Sequence, residues 1–253
     1  MLGTVNSSAR WSSALTSDLR TALARLADDR DAGVRVADEP TGKALLVALG
    51  IGVPEARVVA SPDDAPAAAA AIGWPVAVKR VATDVPHKSD AGGVEGPLHT
   101  ADEVRGAAAR VWSQGAAGVL VEHWEDGGVA CFAGLTIGGP FGAVVSFGLG
   151  GIWVEVLRDV AHRLAPIDDD EAVEMMLTIR GAPILTGARG RSPVALASLA
   201  SALSRLSQLG IDRYAARVLT ELDINPLLAR VNGPPIALDA AVTLADPPTN
   251  STR

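Results

Sequence analysis

Residues 74–81 and 86–94 read WPVAVKRV and PHKSDAGGV. A short apolar strand carries Lys79 near its end. A loop then gathers His87, Lys88, Ser89 and Asp90 before Gly92 and Gly93. A plain connection needs only turn formers. Paired glycines let backbone N–H groups approach a ligand closely, and such loops bind phosphate oxygens. Lys79 adds a point charge suited to a polyphosphate. The pattern GxxxxGK[ST] is absent, so this is not a Walker A motif. Taken alone, His87 reads as a general base, a nucleophile or a surface residue. The loop itself reads as either a phosphate cradle or a solvated turn.

Around this loop the chain alternates strand and helix. Leu15, Leu19, Ala22, Leu23 and Leu26 recur at helical spacing, and the linker-like DDRDAGVRVADEP (28–40) follows. A helix is expected over about 41–49, with Gly50 closing it, and then a strand at ARVVA (56–60). Ser61-Pro62 opens an alanine-rich helix that runs to Gly73. Beyond the loop, Thr100 to Glu103 form a capping box for a helix reaching about Ser113, and GVLVEHW (118–124) is a strand. The alternation predicts a sheet covered by helices.

The second half differs. VACFAGLTI (129–137) and PFGAVVSFGL (140–149) are adjacent strands, and VAHRLAPI (160–167) is a further candidate. Helices are expected at about 169–179 and 194–208. VLTELDI (218–224) and PIALDAAVTL (235–244) flank Asn232-Gly233, a strong hairpin signal. The expected divisions are an N-terminal helix and linker (1–36), a first lobe (37–124), a second lobe (125–246) and a frayed tail (247–253).

Composition sets outer bounds. With 253 residues, 48% of them hydrophobic, the chain can build one sizeable core or two small lobes. The net charge of -7, with no Lys/Arg block, argues against a nucleic-acid partner. Cys131 is the single cysteine, which excludes an internal disulfide and fits a reducing compartment. No apolar run approaches the ~20 residues that span a bilayer, and the N-terminus lacks a signal-peptide apolar region. The expectation is a cytoplasmic protein with no membrane partner.

Three further places carry candidate chemistry. Asn225 and Asp239 lie symmetrically about Asn232, so a hairpin centred there sets them opposite each other, with Cβ atoms ~5 Å apart. An amide oxygen and a carboxylate at that separation can share Mg²⁺, which completes its shell with water and phosphate. Asp223 falls on the same face. The bland alternative makes Asn225-Pro226 a turn and Asp239 an edge charge. FGLGGIWVEVLRD (147–159) holds Gly148, Gly150 and Gly151, as either a tight loop near a ligand or a sharp bend. It is not the GxGxxG of a dinucleotide fold. Glu122 ends a strand between the lobes, where it either reads an adenine amine or is merely exposed. His99, His123 and His162 have no evident companions and read as structural. HExxH and GxSxG patterns are absent.

In this order, GIGVPEARVVAS, IGWPVAVKR, HKSDAGGV, FGLGGIWVEVLRDVAHRLAPI, IRGAPILTGARG, LSRLSQL and ELDINPLL with ALDA resemble the ATP-grasp domain of the NDP-forming acyl-CoA synthetases. The match covers about residues 37–244. The resemblance implies an α+β, ATP-grasp fold of two lobes with ATP or ADP and Mg²⁺ between them. It implies an acid–thiol ligase reaction: acyl-CoA, ADP and phosphate give the acid, CoA and ATP. It also implies a CoA-binding α-type partner that carries a phosphorylated histidine. By resemblance, Lys79 contacts the nucleotide phosphates, Gly92 and Gly93 cover them, and Glu122 holds adenine. Asn225 and Asp239 bind Mg²⁺, and His87 is a second relay histidine. Asp223, Gly150 and Gly151 line the place where the partner's phosphohistidine arrives.

Three positions depart from the family pattern. Ala130 stands where a ribose-associated glutamate is usual, and Gly139-Pro140-Phe141-Gly142 replaces a charged turn. Ala195 replaces an aspartate that starts a helix. These departures keep open an alternative, a non-catalytic nucleotide sensor or assembly subunit. A domain cut from a longer fusion is a third.

Overall fold

The computed structural model describes residues 16–83 and 93–247. His87 and Gly92 therefore lie outside the described residues. So does most of the expected tail.

Two antiparallel sheets organise the chain. The smaller is built from β1 (Ala56–Val59), β2 (Val76–Val81), β3 (Val94–Leu98) and β4 (Gly118–His123), in the order β1-β4-β2-β3. Helices α3 (Ala65–Ile72) and α4 (Ala101–Ser113) cover one face. Ala65, Ala68 and Ala69 meet Val104, Ala107, Ala108 and Val111, with Val76, Val78, Val119 and Val121 beneath them. Small side chains let the two helices lie close together and close to the sheet. The Thr100 capping box forms as its sequence dictates: the threonine hydroxyl accepts from Glu103 N at 3.2 Å, and Glu103 accepts from Thr100 N at 3.1 Å.

The larger sheet runs β10-β8-β5-β6-β7, with β9 pairing beside β8. Its strands are β5 (Val129–Gly139), β6 (Gly142–Leu149), β7 (Val160–Leu164), β8 (Leu219–Ala229), β9 (Ile236–Ala237) and β10 (Ala241–Leu244). Alternation sorts its faces. Leu222, Ile224, Ala133, Leu135, Val145 and Phe147 enter the core, where α6 (Asp169–Thr178) and α8 (Leu196–Ile211) bring Met175, Met176, Leu199, Leu203 and Leu206. Asp223 and Asn225 alternate with the buried Leu222 and Ile224, and so lie on the opposite face. Short helices α5 (Ile152–Leu157), α7 (Ala182–Leu185) and α9 (Ala215–Val218) connect the remaining pieces.

The cores draw the division between lobes differently from the expected boundaries. Helices α1 (Ser17–Asp31) and α2 (Glu39–Ala48) put Leu19, Leu23, Leu26, Leu45 and Leu46 into the large core, not the small one. The segment read as a linker is pinned to the large sheet: Ala37 N donates to Val242 O at 3.0 Å, and Leu244 N to Arg35 O at 2.8 Å. The small lobe's own core comes from residues between Ala65 and Val121.

Three local readings are also corrected. β3 was not anticipated, because Pro97 breaks the strand signal; it is an edge strand, where proline is tolerated. Residues 152–157 form a helix inside the stretch 147–159, which reads as a tight loop or a sharp bend. The strand expected at 235–244 is two strands, β9 and β10, separated at 238–240, where Asp239 Oδ1 accepts from Ala240 N at 2.8 Å.

Candidate active site

Helix α2 begins with Asp38 capping Thr41 N at 2.8 Å, which fixes Glu39 in the first turn and Lys43 one turn later on the same side. Both point toward the small sheet. There β2 presents Lys79 and the neighbouring β4 presents Glu122. The four side chains form a closed ring. Glu39 Oε1 lies 2.8 Å from Lys43 Nζ and 2.9 Å from Lys79 Nζ. Glu122 Oε1 lies 2.6 Å from Lys79 Nζ, and Glu122 Oε2 accepts from Lys43. All four are buried, none more than 5% exposed. Two charges of each sign cancel, which is what burial of ionised groups requires.

Lys79 also donates to Leu238 O at 2.6 Å, so the ring reaches the break between β9 and β10. Burial opposes the charge on Lys79, but Glu39, Glu122 and Asp239 overcome it and hold its pKa above the ordinary lysine range.

The hairpin register is the one the symmetry about Asn232 requires. Leu227 pairs with Ala237 on one side of the break, and Asp223 with Ala241 on the other. Between them, Leu238 N donates to Pro226 O at 2.9 Å. Continuing that register sets Asn225 opposite Asp239. Asn225 Oδ1 accepts from Gly151 N at 2.8 Å. An amide oxygen has two lone pairs, so that bond leaves one for a cation. Among the described residues, no three His, Cys, Asp or Glu side chains converge as metal ligands. One carboxylate and one amide oxygen suit Mg²⁺, which is commonly held by few protein oxygens.

The glycine loop is shaped by contact. A Cβ on Gly150 would fall 2.4 Å from Cys131 O and 3.0 Å from Asn225 Oδ1, and Gly151 has φ 62°. Both positions therefore need glycine for the loop to close over Asn225. Beneath it, burial pushes the Cys131 thiol up to about 12. Gly93 is buried, and its carbonyl accepts from Arg80 N at 2.9 Å.

Lys79, Asp239, Asn225, Gly150 and Gly151 thus form one continuous track, with Asp223 two residues from Asn225 on the same face. Glu122 is buried, and both its carboxylate oxygens are bound to lysines, Oε1 to Lys79 and Oε2 to Lys43. Glu39 and Lys43 were missed altogether. Their signal was the i,i+4 pair at the start of a capped helix. His162, read as lacking a companion, is 2.8 Å from Ser146 Oγ, and the ladder Asp223, Gly134, Ser146, His162 crosses the sheet in one row. His123 Nδ1 lies 3.6 Å from Glu125 Oε1, and Arg230 holds the same carboxylate through Oε2 at 2.6 Å.

Two lobes that meet at a buried lysine and an oxygen-lined hairpin have their counterpart in a nucleotide-binding class of proteins. The ATP-grasp domain family matches residues 29–244, and the chain belongs to that family. It is 37% identical over 215 residues to the ADP-forming acetate–CoA ligase I subunit beta of Pyrococcus furiosus, covering 81% of this chain and 90% of that one. It is 36% identical over 203 residues to the ADP-forming 4-hydroxybutyrate–CoA ligase of Nitrosopumilus maritimus, covering 77% of this chain and 29% of that protein. The dinucleotide-forming acetyl-coenzyme A synthetase 1 of Ca. Korarchaeum cryptofilum, solved with coenzyme A and Ca-AMPCP, superposes with TM-score 0.82 at 32% identity, over 88% of this chain and 99% of that chain.

Proposed function

We propose that this chain is the nucleotide-binding, β-type subunit of an ADP-forming acyl-CoA synthetase. The observation that carries the reading is the track from Lys79 through Asp239 and Asn225 to Gly150 and Gly151, in a chain that spans nearly all of a β subunit of such an enzyme. The overall reaction converts acyl-CoA, ADP and phosphate to acid, CoA and ATP. A CoA-binding α-type subunit supplies a phosphohistidine. The related synthetase has also been solved with Mg-AMPPCP and a phosphohistidine segment pointing towards its nucleotide binding site.

In this reading Lys79 neutralises phosphate oxygens, and the Gly92-Gly93 loop covers them. The end of β4 that carries Glu122 is the adenine end. Asn225 and Asp239 would hold Mg²⁺, which when bound offsets charge on the phosphates. Asp223, Gly150 and Gly151 receive the incoming phosphohistidine. His87 takes the phosphoryl group in relay. In the last step a terminal ADP oxygen bonds to phosphorus as the phosphorus–nitrogen bond breaks, and the electron pair returns to the imidazole.

The test is ATP formation from acyl-CoA, ADP and phosphate with a co-expressed CoA-binding subunit. Wild type is expected to turn over and His87→Ala to lose about a hundredfold or more, the scale of removing a covalent relay. Turnover unchanged in His87→Ala contradicts the relay. Ala130 favours a second reading, a nucleotide sensor, which predicts Mg·ADP binding with no turnover under any acyl-CoA.

A further inference from the structure

The buried ring contains a lysine to which no role has been given. Lys79 has three N–H donors, and three acceptors occupy them: Glu39 Oε1 at 2.9 Å, Glu122 Oε1 at 2.6 Å and Leu238 O at 2.6 Å. A phosphate oxygen can bind Lys79 only by displacing one of these. A buried carboxylate left without a partner is strongly unfavourable. Lys43, however, touches both carboxylates, Glu39 at 2.8 Å and Glu122 through its other oxygen. Each carboxylate keeps a counter-ion when Lys79 turns away. Lys43 sits on α2, which packs with the large core, while Lys79 and Glu122 belong to the small sheet, so the exchange takes place where the lobes meet.

We propose that Lys43 is a positioning residue for nucleotide binding. It is the standing counter-ion that lets Lys79 exchange a protein acceptor for a nucleotide phosphate. The proposal rests on the nucleotide-binding reading of Lys79. Without Lys43 the two carboxylates hold Lys79 alone and resist its release. With Glu39 neutralised, Lys79 is freer than in wild type.

Calorimetric titration with Mg·ADP and with adenosine tests this, since only ADP uses Lys79. Lys43→Met is expected to weaken ADP binding about tenfold or more while leaving adenosine unchanged, the scale of one charged hydrogen bond. The charge-restoring pair Glu39→Gln with Lys43→Met is expected to recover ADP affinity to within about threefold of wild type. Glu39→Gln alone, which keeps the decision open should Lys43→Met not fold, is expected to tighten ADP binding relative to adenosine. Equal losses for ADP and adenosine, no loss in Lys43→Met, or weaker ADP binding in Glu39→Gln overturns the proposal. A wild-type chain that binds neither ligand fails at an earlier point, the nucleotide-binding reading itself.

Discussion

At the scale of single residues, Lys79 concentrates the chemistry. Removing its charge, as in Lys79→Met, leaves Glu39 and Glu122 sharing one lysine in a buried setting. Breaking such a pair typically costs about 3–5 kcal/mol. A large fall in melting temperature is therefore expected, together with loss of ADP binding. The pH dependence has a definite sign. The folded-state pKa of Lys79 is raised, so its stabilisation is present in full below the ordinary value of 10.5 and is lost only as pH rises beyond that. Melting curves recorded between about pH 6 and 9 should show no loss from this group. Cys131, its thiol pushed up to about 12 and fully buried, should resist a thiol reagent at about pH 8 until the protein unfolds. Fast native-state labelling would contradict that account.

Elements tell a complementary story. Helix α8 starts at Ala195 with no side-chain cap, whereas α6 is capped by Asp168 and Glu171. Ala195→Asp is expected to raise stability by about 1 kcal/mol, measured by denaturant midpoint. Gly150→Ala should do the opposite and loosen the loop over Asn225, because its new carbon meets Cys131 O. The capping box at Thr100 was legible because it involves residues three apart. So was the Asn225–Asp239 register, which a symmetric sequence fixes about Asn232. β3 was hidden by Pro97, and the break between β9 and β10 was hidden because contacts from Asp239 and Lys79 interrupt an otherwise good strand pattern. The ring of four charges was illegible for a different reason. Lys43 and Glu122 are 79 residues apart, and only the meeting of α2 with the small sheet joins them.

For the whole molecule, the site is the place where two cores meet. Residues 35–52 run along the large lobe before the chain enters the small one, so α2 delivers Glu39 and Lys43 from one lobe to Lys79 and Glu122 of the other. Leu238 and Arg230 add contacts from the large sheet. No helix among the described residues is long and apolar enough to cross a membrane. Resemblance and the family match agree on an ATP-grasp domain. The most direct test is titration of the wild-type chain with ADP, with and without Mg²⁺, beside Lys79→Met. The account predicts one ADP per chain, tighter with Mg²⁺, and binding weakened about tenfold or more in Lys79→Met. Absence of ADP binding to the folded wild type, or equal affinity in the variant, would contradict it.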